Sequence, residues 1–442
     1  FDVLRSNLSE DLLEYLAVKS GFKVRSSKIT PLVFMDLLLY SASLNSDTYT
    51  LSQMGSYSFG TLGVCISKQS IDNRFNASAQ SFVKAVLSHL IKNYISVPLE
   101  PSFFSHFARV RIKDSTKFIL PDFLADYYKG NGGTVHTSRA GISIQFEYDI
   151  KTSSITDLSL TDGIRNDITD AKETLDDILA DDLLIRDLGY CSLGVMESIK
   201  ARGAFFLFRL MPSTTVLDGN GEKMDFKKIY RKMKKNGLPC MEVKAFVGAR
   251  NKMEVRLSIT VVSDEIYNRR LDRLEKSNKR RKDKTSEESK IRLRLTMFIT
   301  NVPQEILSAK DMQDLYHLRW QVELIFKQWK STCGINKIPL FKAHRYLCML
   351  YAKLILILLH MGVTHILSGY LYHKQRKLLS THKCMKTLWS YFKELRSLIM
   401  EERSNKAYKS LHMLIEKVSV GHWLEKKNKK LSYMDLFEHF SN

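Results

Sequence analysis

A mixed α/β protein, helical at both ends, is the fold class that this 442-residue sequence predicts. Three observations carry the expectation. Apolar residues recur at helical spacing through about the first 95 positions and again beyond 343, as in residues 8–17 (LSEDLLEYLA). Between those ends lie short segments that alternate polar and apolar residues with the period of a strand. With 44% hydrophobic residues and only 8 prolines, the chain has the composition of a packed protein rather than a disordered one. The expected order is a helical region (1–95), the first part of an α/β core (96–210), a β-rich insertion (211–300), the second part of the core (301–370) and a basic helical end (371–442).

Charge narrows the partners. Lys and Arg number 68 against 47 Asp and Glu, a net charge of +21 with a pI near 9.5. Such an excess over a whole large chain favours a polyanion, most simply a nucleic acid, with an anionic membrane surface as the alternative. The six cysteines (Cys65, Cys191, Cys240, Cys333, Cys348, Cys384) are scattered, with no Cys-x-x-Cys and no Cys/His spacing. That speaks against a zinc site or a disulfide framework and for a reducing compartment. Residues 354–373 contain no Asp, Glu, Lys or Arg over a length that could span a bilayer. His360, Thr364, His365 and two glycines interrupt them, so a buried helix is expected. No signal-peptide pattern is visible, and the chain begins with Phe1 rather than Met, so residues are expected ahead of it.

Along the chain, Thr30-Pro31 opens a helix, with Pro suited to the first turn. Residues 50–57, a turn around Gly60 to Gly63 and a Ser-capped segment over 66–75 form a helix–turn–helix pattern. Its polar face carries Lys68, Gln69, Asn73 and Arg74, as contacts to bases or phosphates or as the solvated face of an ordinary helical domain. Residues 109–114 (RVRIKD) read as a strand ending on an acid, 142–148 and 155–160 as two more. A helix over 171–180 and the apolar run 183–185 then lead to Asp187-Leu-Gly-Tyr. Three strands, a helix and a fourth strand make an α/β core. Residues 241–247 and 252–262 read as a hairpin around Gly248. Residues 269–294 hold twelve Lys/Arg against five Asp/Glu, which suits either a solvated face or phosphate contact.

The stretch from Asp311 to Lys330 has no Pro or Gly and reads as one helix. At about 100° per residue, Leu315, Leu318, Val322, Ile325 and Trp329 share one face, and Tyr316, Arg319, Glu323, Lys327 and Lys330 share the other. A carboxylate held among cations on a rigid helix suits a site for a metal and a phosphate. A solvated face with an i,i+4 pair between Arg319 and Glu323 is the plainer alternative.

Tyr316, Arg319, Glu323 and Lys330, separated by two, three and six residues, resemble the Tyr-Arg-Glu-Lys signature of the insertion-sequence type-four group of DDE transposases. Trp320 stands where that group often carries an aromatic. Asp114-Ser-Thr with the downstream Leu120-Pro121, and Asp187-Leu-Gly-Tyr, resemble the segments around the group's first two acids. The resemblance spans roughly residues 5–365 and implies a ribonuclease-H-like core. It implies that Asp114, Asp187 and Glu323 are the catalytic acids and hold two Mg²⁺ ions, for which Mn²⁺ can substitute. Tyr316, Arg319, Trp320 and Lys330 would then lie along DNA, with Lys68, Gln69 and Arg74 as the DNA contacts of the N-terminal region.

The partners implied are double-stranded transposon ends and target DNA, with two protomers pairing on two ends and no membrane, in the nucleoid-associated cytoplasm of a prokaryote. In-line attack by water and then by a DNA 3′-hydroxyl needs carboxylates to hold the metals and no protein nucleophile. Asp114 as a turn residue after a strand, and Asp187 as the cap of a helix from Ser192, are the structural alternatives. The acids between Asp157 and Asp182 lie in polar sequence, whereas Asp187 follows an apolar strand. The group also stacks a flipped base on an aromatic of the insertion; residues 211–300 contain no Trp, leaving Phe246, Tyr267 or Phe298. A nuclease without strand transfer, or an inactive DNA-binding descendant, are the competing functions.

Overall fold

The structure is a computed structural model that describes every residue except 1, 45–48, 95–101, 133–137, 212–213, 249–251, 282–284, 401–404 and 425–442. The basic run Lys426–Lys430 lies outside the described residues.

The N-terminal part is helical: α1 (Asp2–Ser6), α2 (Glu10–Lys19), α3 (Pro31–Ser43), α4 (Leu51–Leu62), α5 (Lys68–Asp72) and α6 (Ala77–Lys92). Small polar side chains start five of these helices by accepting a backbone N–H: Ser9, Thr30, Thr50, Ser67 and Asn76. Gly63, at φ 68°, ends α4 in the left-handed conformation that favours glycine, while Gly60 lies inside the helix.

The middle of the chain builds one twisted sheet with helices between its strands. In chain order these are β1 (Val110–Ile119), β2 (Gly141–Asp149), β3 (Ser154–Asp162), α7 (Asp167–Glu173), β4 (Leu183–Arg186), α8 (Leu193–Ala201) and β5 (Phe205–Arg209). The insertion adds β6 (Val216–Leu217), α9 (Phe226–Lys235), β7 (Cys240–Val247), β8 (Met253–Val261), α10 (Asp264–Arg281), α11 (Glu287–Leu293) and β9 (Leu295–Thr300). Among the described residues the strand order is β3-β2-β1-β4-β5-β9-β8-β7-β6. Strand β4 is parallel to β1 and β5, and the other pairs are antiparallel. The insertion therefore continues the central sheet through the β5–β9 pair, and it carries three helices besides its strands. Its hairpin turns at Gly248, φ 102°, as expected.

Two expectations are corrected by the strand pairing and the helix caps. Strand β1 does not end on Asp114 but runs on to Ile119, because β2 pairs with it from Arg111 to Ile119. The helix expected over 171–180 starts earlier, as α7, capped by Asn166, and gives way to a 3₁₀ turn at Leu175–Asp177.

Alternation along the strands sorts the two faces of the sheet. Ile112, Ile144, Phe146, Ile185 and Leu207 point into a core shared with the N-terminal helices and with the long α14 (Ala343–Gln375). On the opposite face Leu184, Phe206, Phe208 and Leu257 form a second core with α8 and α9. Next to that second core the same face is ionic. Glu147 is fully buried between Arg111 and Arg186, and buried Lys113 reaches Asp157 (2.8 Å) and Asp170 (2.6 Å). Preceding α14 are α12 (Ala309–His317) and α13 (Trp320–Ser331), and after it come α15 (Thr381–Ser390), α16 (Phe392–Met400) and α17 (Asn405–Ser419). Helix α14 is long and apolar enough to cross a membrane, yet its most apolar stretch is entirely buried against the rest of the fold.

Candidate active site

Register brings the first two acids together. The parallel pairing of β1 with β4 ends at Lys113 opposite Arg186, so Asp114 and Asp187 are the next residue on each strand. Both follow the alternation onto the face of Ile112 and Ile185. Asp187 thus sits at the carboxyl end of β4, beside Asp114 midway along β1, where the parallel pairing stops and α/β sheets open a crevice. Asp187 begins the 3₁₀ turn Leu188–Tyr190 without a side-chain capping bond, and α8 is capped instead by Ser192. The capping alternative for Asp187 is therefore excluded. Asp114 accepts a bond from the Ser115 N–H (2.8 Å).

The third acid comes from α13, which lies across β1 and β2. Contrary to expectation, the segment 311–330 is not one straight helix. Between α12 and α13 the N–H groups of Leu318, Arg319, Gln321 and Val322 each bond three residues back, a tightened turn that rotates α13 relative to α12. Val322, Phe326 and Trp329 are buried, whereas Lys327 and Leu324 are exposed. Tyr316, expected on the outer stripe, is buried instead, packed on Phe298 with ring centres 4.8 Å apart. Its hydroxyl donates to Asp187 Oδ1 (3.1 Å), which explains why it points inward. Burial and the Asp187 charge hold the Tyr316 hydroxyl well above its ordinary pKa, so it stays a donor.

Arg319 links the cluster. Its guanidinium donates to Asp114 Oδ2 (3.0 Å) and to Glu323 Oε1, and lies 5.7 Å from the Tyr316 ring centre. Tyr316, Asp187 and Glu323 outweigh its burial and raise its pKa. The Asp114 pKa is raised as well, which for an acid favours the neutral form. Burial pushes its carboxyl up to about 6, with the Ser115 N–H and Arg319 pulling down and Glu323 and Asp187 adding to the rise. Two carboxylates thus bond one guanidinium and the third, Asp187, acts on it through its charge, which leaves the cluster short of positive charge.

Among the described residues, no group of three or more His, Cys, Asp and Glu side chains stands close enough to hold a metal as it is. The donor set nevertheless fits a hard divalent cation, because its ligands are all carboxylate oxygens and their mutual repulsion is only partly relieved by Arg319. Lys330 Nζ donates to the Lys117 carbonyl (3.2 Å) beyond Asp114 on β1, and burial lowers its pKa. Trp320, about half exposed, starts α13 beside these residues.

The remaining sequence candidates lie apart from this cluster. Lys68 and Gln69 are exposed on α5. Arg74 is half-buried over the Phe22 ring (5.3 Å) and donates to the Ile29 carbonyl (3.5 Å), so it is tied to the helical scaffold. Of the possible stacking aromatics, Phe298 is buried under Tyr316, Tyr267 lies under Arg294 (3.8 Å) and Phe246 is half-buried in β7. Sequence reasoning missed the support beneath the acids. Asp167 Oδ1 accepts from Ser115 Oγ (3.1 Å) and Gln145 Nε2 (3.3 Å), and Tyr190 donates to Gln145 Oε1 (2.7 Å). A Cβ on Gly189 would meet Asp167 Oδ2 at 2.9 Å, so the glycine lets the Asp187 turn settle on that carboxylate. A Tyr directly after the Gly of a strand-end turn was the available signal.

Fold and cluster define a class: a mixed α/β protein whose adjacent parallel strands and an overlying helix present three acids around one arginine. The chain belongs to the family described as the transposase DDE domain, whose profile matches residues 105–359. It is similar to the transposase for insertion sequence element IS231F of Bacillus thuringiensis subsp. israelensis, 29% identical over 444 residues, covering 96% of this chain and 92% of the relative. It is likewise 29% identical over 398 residues to the transposase for IS231B of Bacillus thuringiensis subsp. berliner, covering 86% and 82%. The transposase for IS1151 of Clostridium perfringens is 28% identical over 407 residues, covering 86% and 83%.

Proposed function

We propose that this chain is a cut-and-paste DNA transposase that binds the terminal inverted repeats of its own element, cleaves at the element ends and joins them to target DNA. The observation that carries the reading is the meeting of Asp114 on β1 with Asp187 at the end of β4, under the helix of Glu323, with Arg319 bonded to two of the three acids. The strand order β3-β2-β1-β4-β5, antiparallel on one side and parallel on the other, supports a ribonuclease-H-like core. The relatives' names as insertion-sequence transposases support the activity.

Asp114, Asp187 and Glu323 would hold two divalent cations, Mg²⁺ or in its place Mn²⁺. When bound, these lower the pKa of an attacking water or 3′-hydroxyl and offset charge on the phosphate. The protein's residues supply the rest. Tyr316 orients Asp187 through its hydroxyl and keeps that carboxylate facing the cluster. Arg319 presents a planar fork that suits a phosphate as well as a carboxylate, and Lys330 adds a point charge along β1. Trp320 offers an exposed ring beside the strand path. Lys68 and Gln69, with Arg74 behind them, serve the N-terminal reading of the element ends. Two protomers pair on two ends in the cytoplasm of a prokaryote, without a membrane.

The test uses purified protein, Mg²⁺ and a supercoiled plasmid carrying the element between its inverted repeats. Excision with joining to a second plasmid is expected. Nicking without joined product would leave a nuclease, and no cleavage with intact binding would leave an inactive DNA-binding protein.

A further inference from the structure

We propose that a pocket of about 170 Å³ between β5, β9 and α10, in which Arg209, Arg270 and Arg273 converge, takes one phosphodiester of a DNA strand running past the acid cluster. The proposal rests on the transposase reading and extends it to a site away from the carboxylates. The lining residues are arginines and apolar side chains only: Leu210, Leu293, Leu295 and Met297 complete it with Arg292. Arg292 is already engaged, bonded to Glu288 (3.1 Å) and packed over Phe226. Among the described residues, none of Arg209, Arg270 and Arg273 forms an ion pair with a carboxylate.

Arg270 is held in place. One nitrogen donates to the carbonyls of Leu293 (3.0 Å) and Leu295 (2.9 Å), and the other to Thr296 Oγ1 (2.8 Å). The fold thus fixes a guanidinium beside two more without supplying a counter-ion. Burial, Arg209 and Arg269 together lower the Arg270 pKa to about 10. Ordinary surface arginines spread into solvent and avoid one another; a fixed one facing like charges in a partly desolvated pocket asks for an anion from outside. Guanidinium forks match phosphate oxygens in shape as well as charge.

Position relates the pocket to the reaction. Arg209 is the last residue of β5, the neighbour of the strand that leads into Asp187. It stands opposite Phe298 in the β5–β9 pair, and its charge reaches Tyr316, which holds Asp187. A strand passing the acids is therefore led across Arg209 towards α10.

The experiment measures binding of a short fluorescein-labelled DNA duplex by anisotropy over a range of salt, without divalent ions. The variants are Arg209→Ala, Arg273→Ala and the control Arg202→Ala, which removes the same charge from an exposed pair with Asp176. Circular dichroism and thermal unfolding check that each is folded. Arg209→Ala and Arg273→Ala should each weaken binding about tenfold at low salt. Each should also flatten the slope of log affinity against log salt by about 0.9, the change expected when one phosphate is no longer neutralised. The control should do neither. Pyrophosphate is titrated in parallel by thermal shift. Unchanged DNA affinity and slope in the two folded variants overturns the proposal, and stabilisation by pyrophosphate that these variants abolish would then assign the pocket to a free anion. Failure of the unaltered protein to bind DNA would sink the transposase reading itself, a different outcome.

Discussion

Burial holds the Asp114 carboxyl above its ordinary range. Its raised pKa means that the folded state prefers the protonated acid, so its contribution to stability is present below its ordinary value of 3.8 and is lost as the pH rises through about 6. Metal-free protein is expected to lose stability from this group across that window, and Asp114→Asn should remove that part of the slope in unfolding curves taken over the same range. The reaction needs the ionised form, and protons compete with the metal for it. The Mg²⁺ concentration that cleavage requires should therefore rise as the pH drops below about 6, and Asp114→Asn should abolish cleavage at every pH while DNA binding persists. A cleavage rate unaffected by Asp114→Asn would remove this residue from the site. At this scale the sequence was informative where neighbours explain the residue: an apolar strand precedes Asp187, and Ser115 comes directly after Asp114. Arg319 was legible only in part. Its bond to Glu323 accords with i,i+4 spacing, but its bond to Asp114 spans most of the core and leaves no local trace.

The tightened turn between α12 and α13 decides what the signature helix presents. It contains neither Pro nor Gly; the bonds of Tyr316 to Asp187 and of Arg319 to Asp114 hold it, and those come from the tertiary fold. Periodicity placed Val322 and Trp329 inside and Lys327 outside, as observed, yet could not anticipate that Tyr316 turns inward. If Arg319 and Lys330 act on phosphates, Arg319→Ala and Lys330→Ala should slow cleavage of a pre-bound end by at least about a hundredfold, as removing positioned cations does in phosphoryl transfer. Lys327→Ala, exposed on the same helix, should be far milder. Thermal unfolding run beside the rates separates chemistry from folding, and equal small losses for all three would return the helix to a charged face. On α5, Lys68 and Gln69 are exposed where a partner can reach them. Replacing both by Ala should reduce the preference for the element's ends over random DNA in a competition assay, by roughly 1–3 kcal/mol for each base-edge hydrogen bond removed. Arg74→Ala should instead cost stability through its packing on Phe22.

Across the whole molecule, one apolar core runs from the N-terminal helices through α14 to α15 and α16. A largely buried ion pair joins its ends: Arg396 on α16 donates to Asp36 on α3 (2.6 and 2.8 Å), and Tyr57 donates to the same carboxylate (2.8 Å). Arg396→Met should cost about 3–5 kcal/mol in denaturant unfolding, because it leaves Asp36 buried without its partner. Adding Asp36→Leu should recover much of that loss; a single variant as stable as the parent would show the pair to be dispensable. Neither this ion pair nor the strand order was legible in the sequence. Both depend on which distant segments meet, whereas alternation and capping report only on neighbours. The buried apolar character of α14 was legible, since the histidines and glycines in it suit a protein interior better than lipid.

The ionic layer under β1, β2 and β4 has a bearing on the acids above it. Strands can slip by a residue, and in an all-apolar sheet such a slip merely exchanges one greasy neighbour for another. Here a one-step slip of β1 would bring Ile112 and Asp114 down towards Glu147 and lift Arg111 and Lys113 into the apolar core. A carboxylate would face a carboxylate, and two unpaired cations would be stranded in hydrocarbon. The same slip would carry Asp114 out of line with Asp187. Charges on one side of the sheet thereby proofread the alignment of the acids on the other.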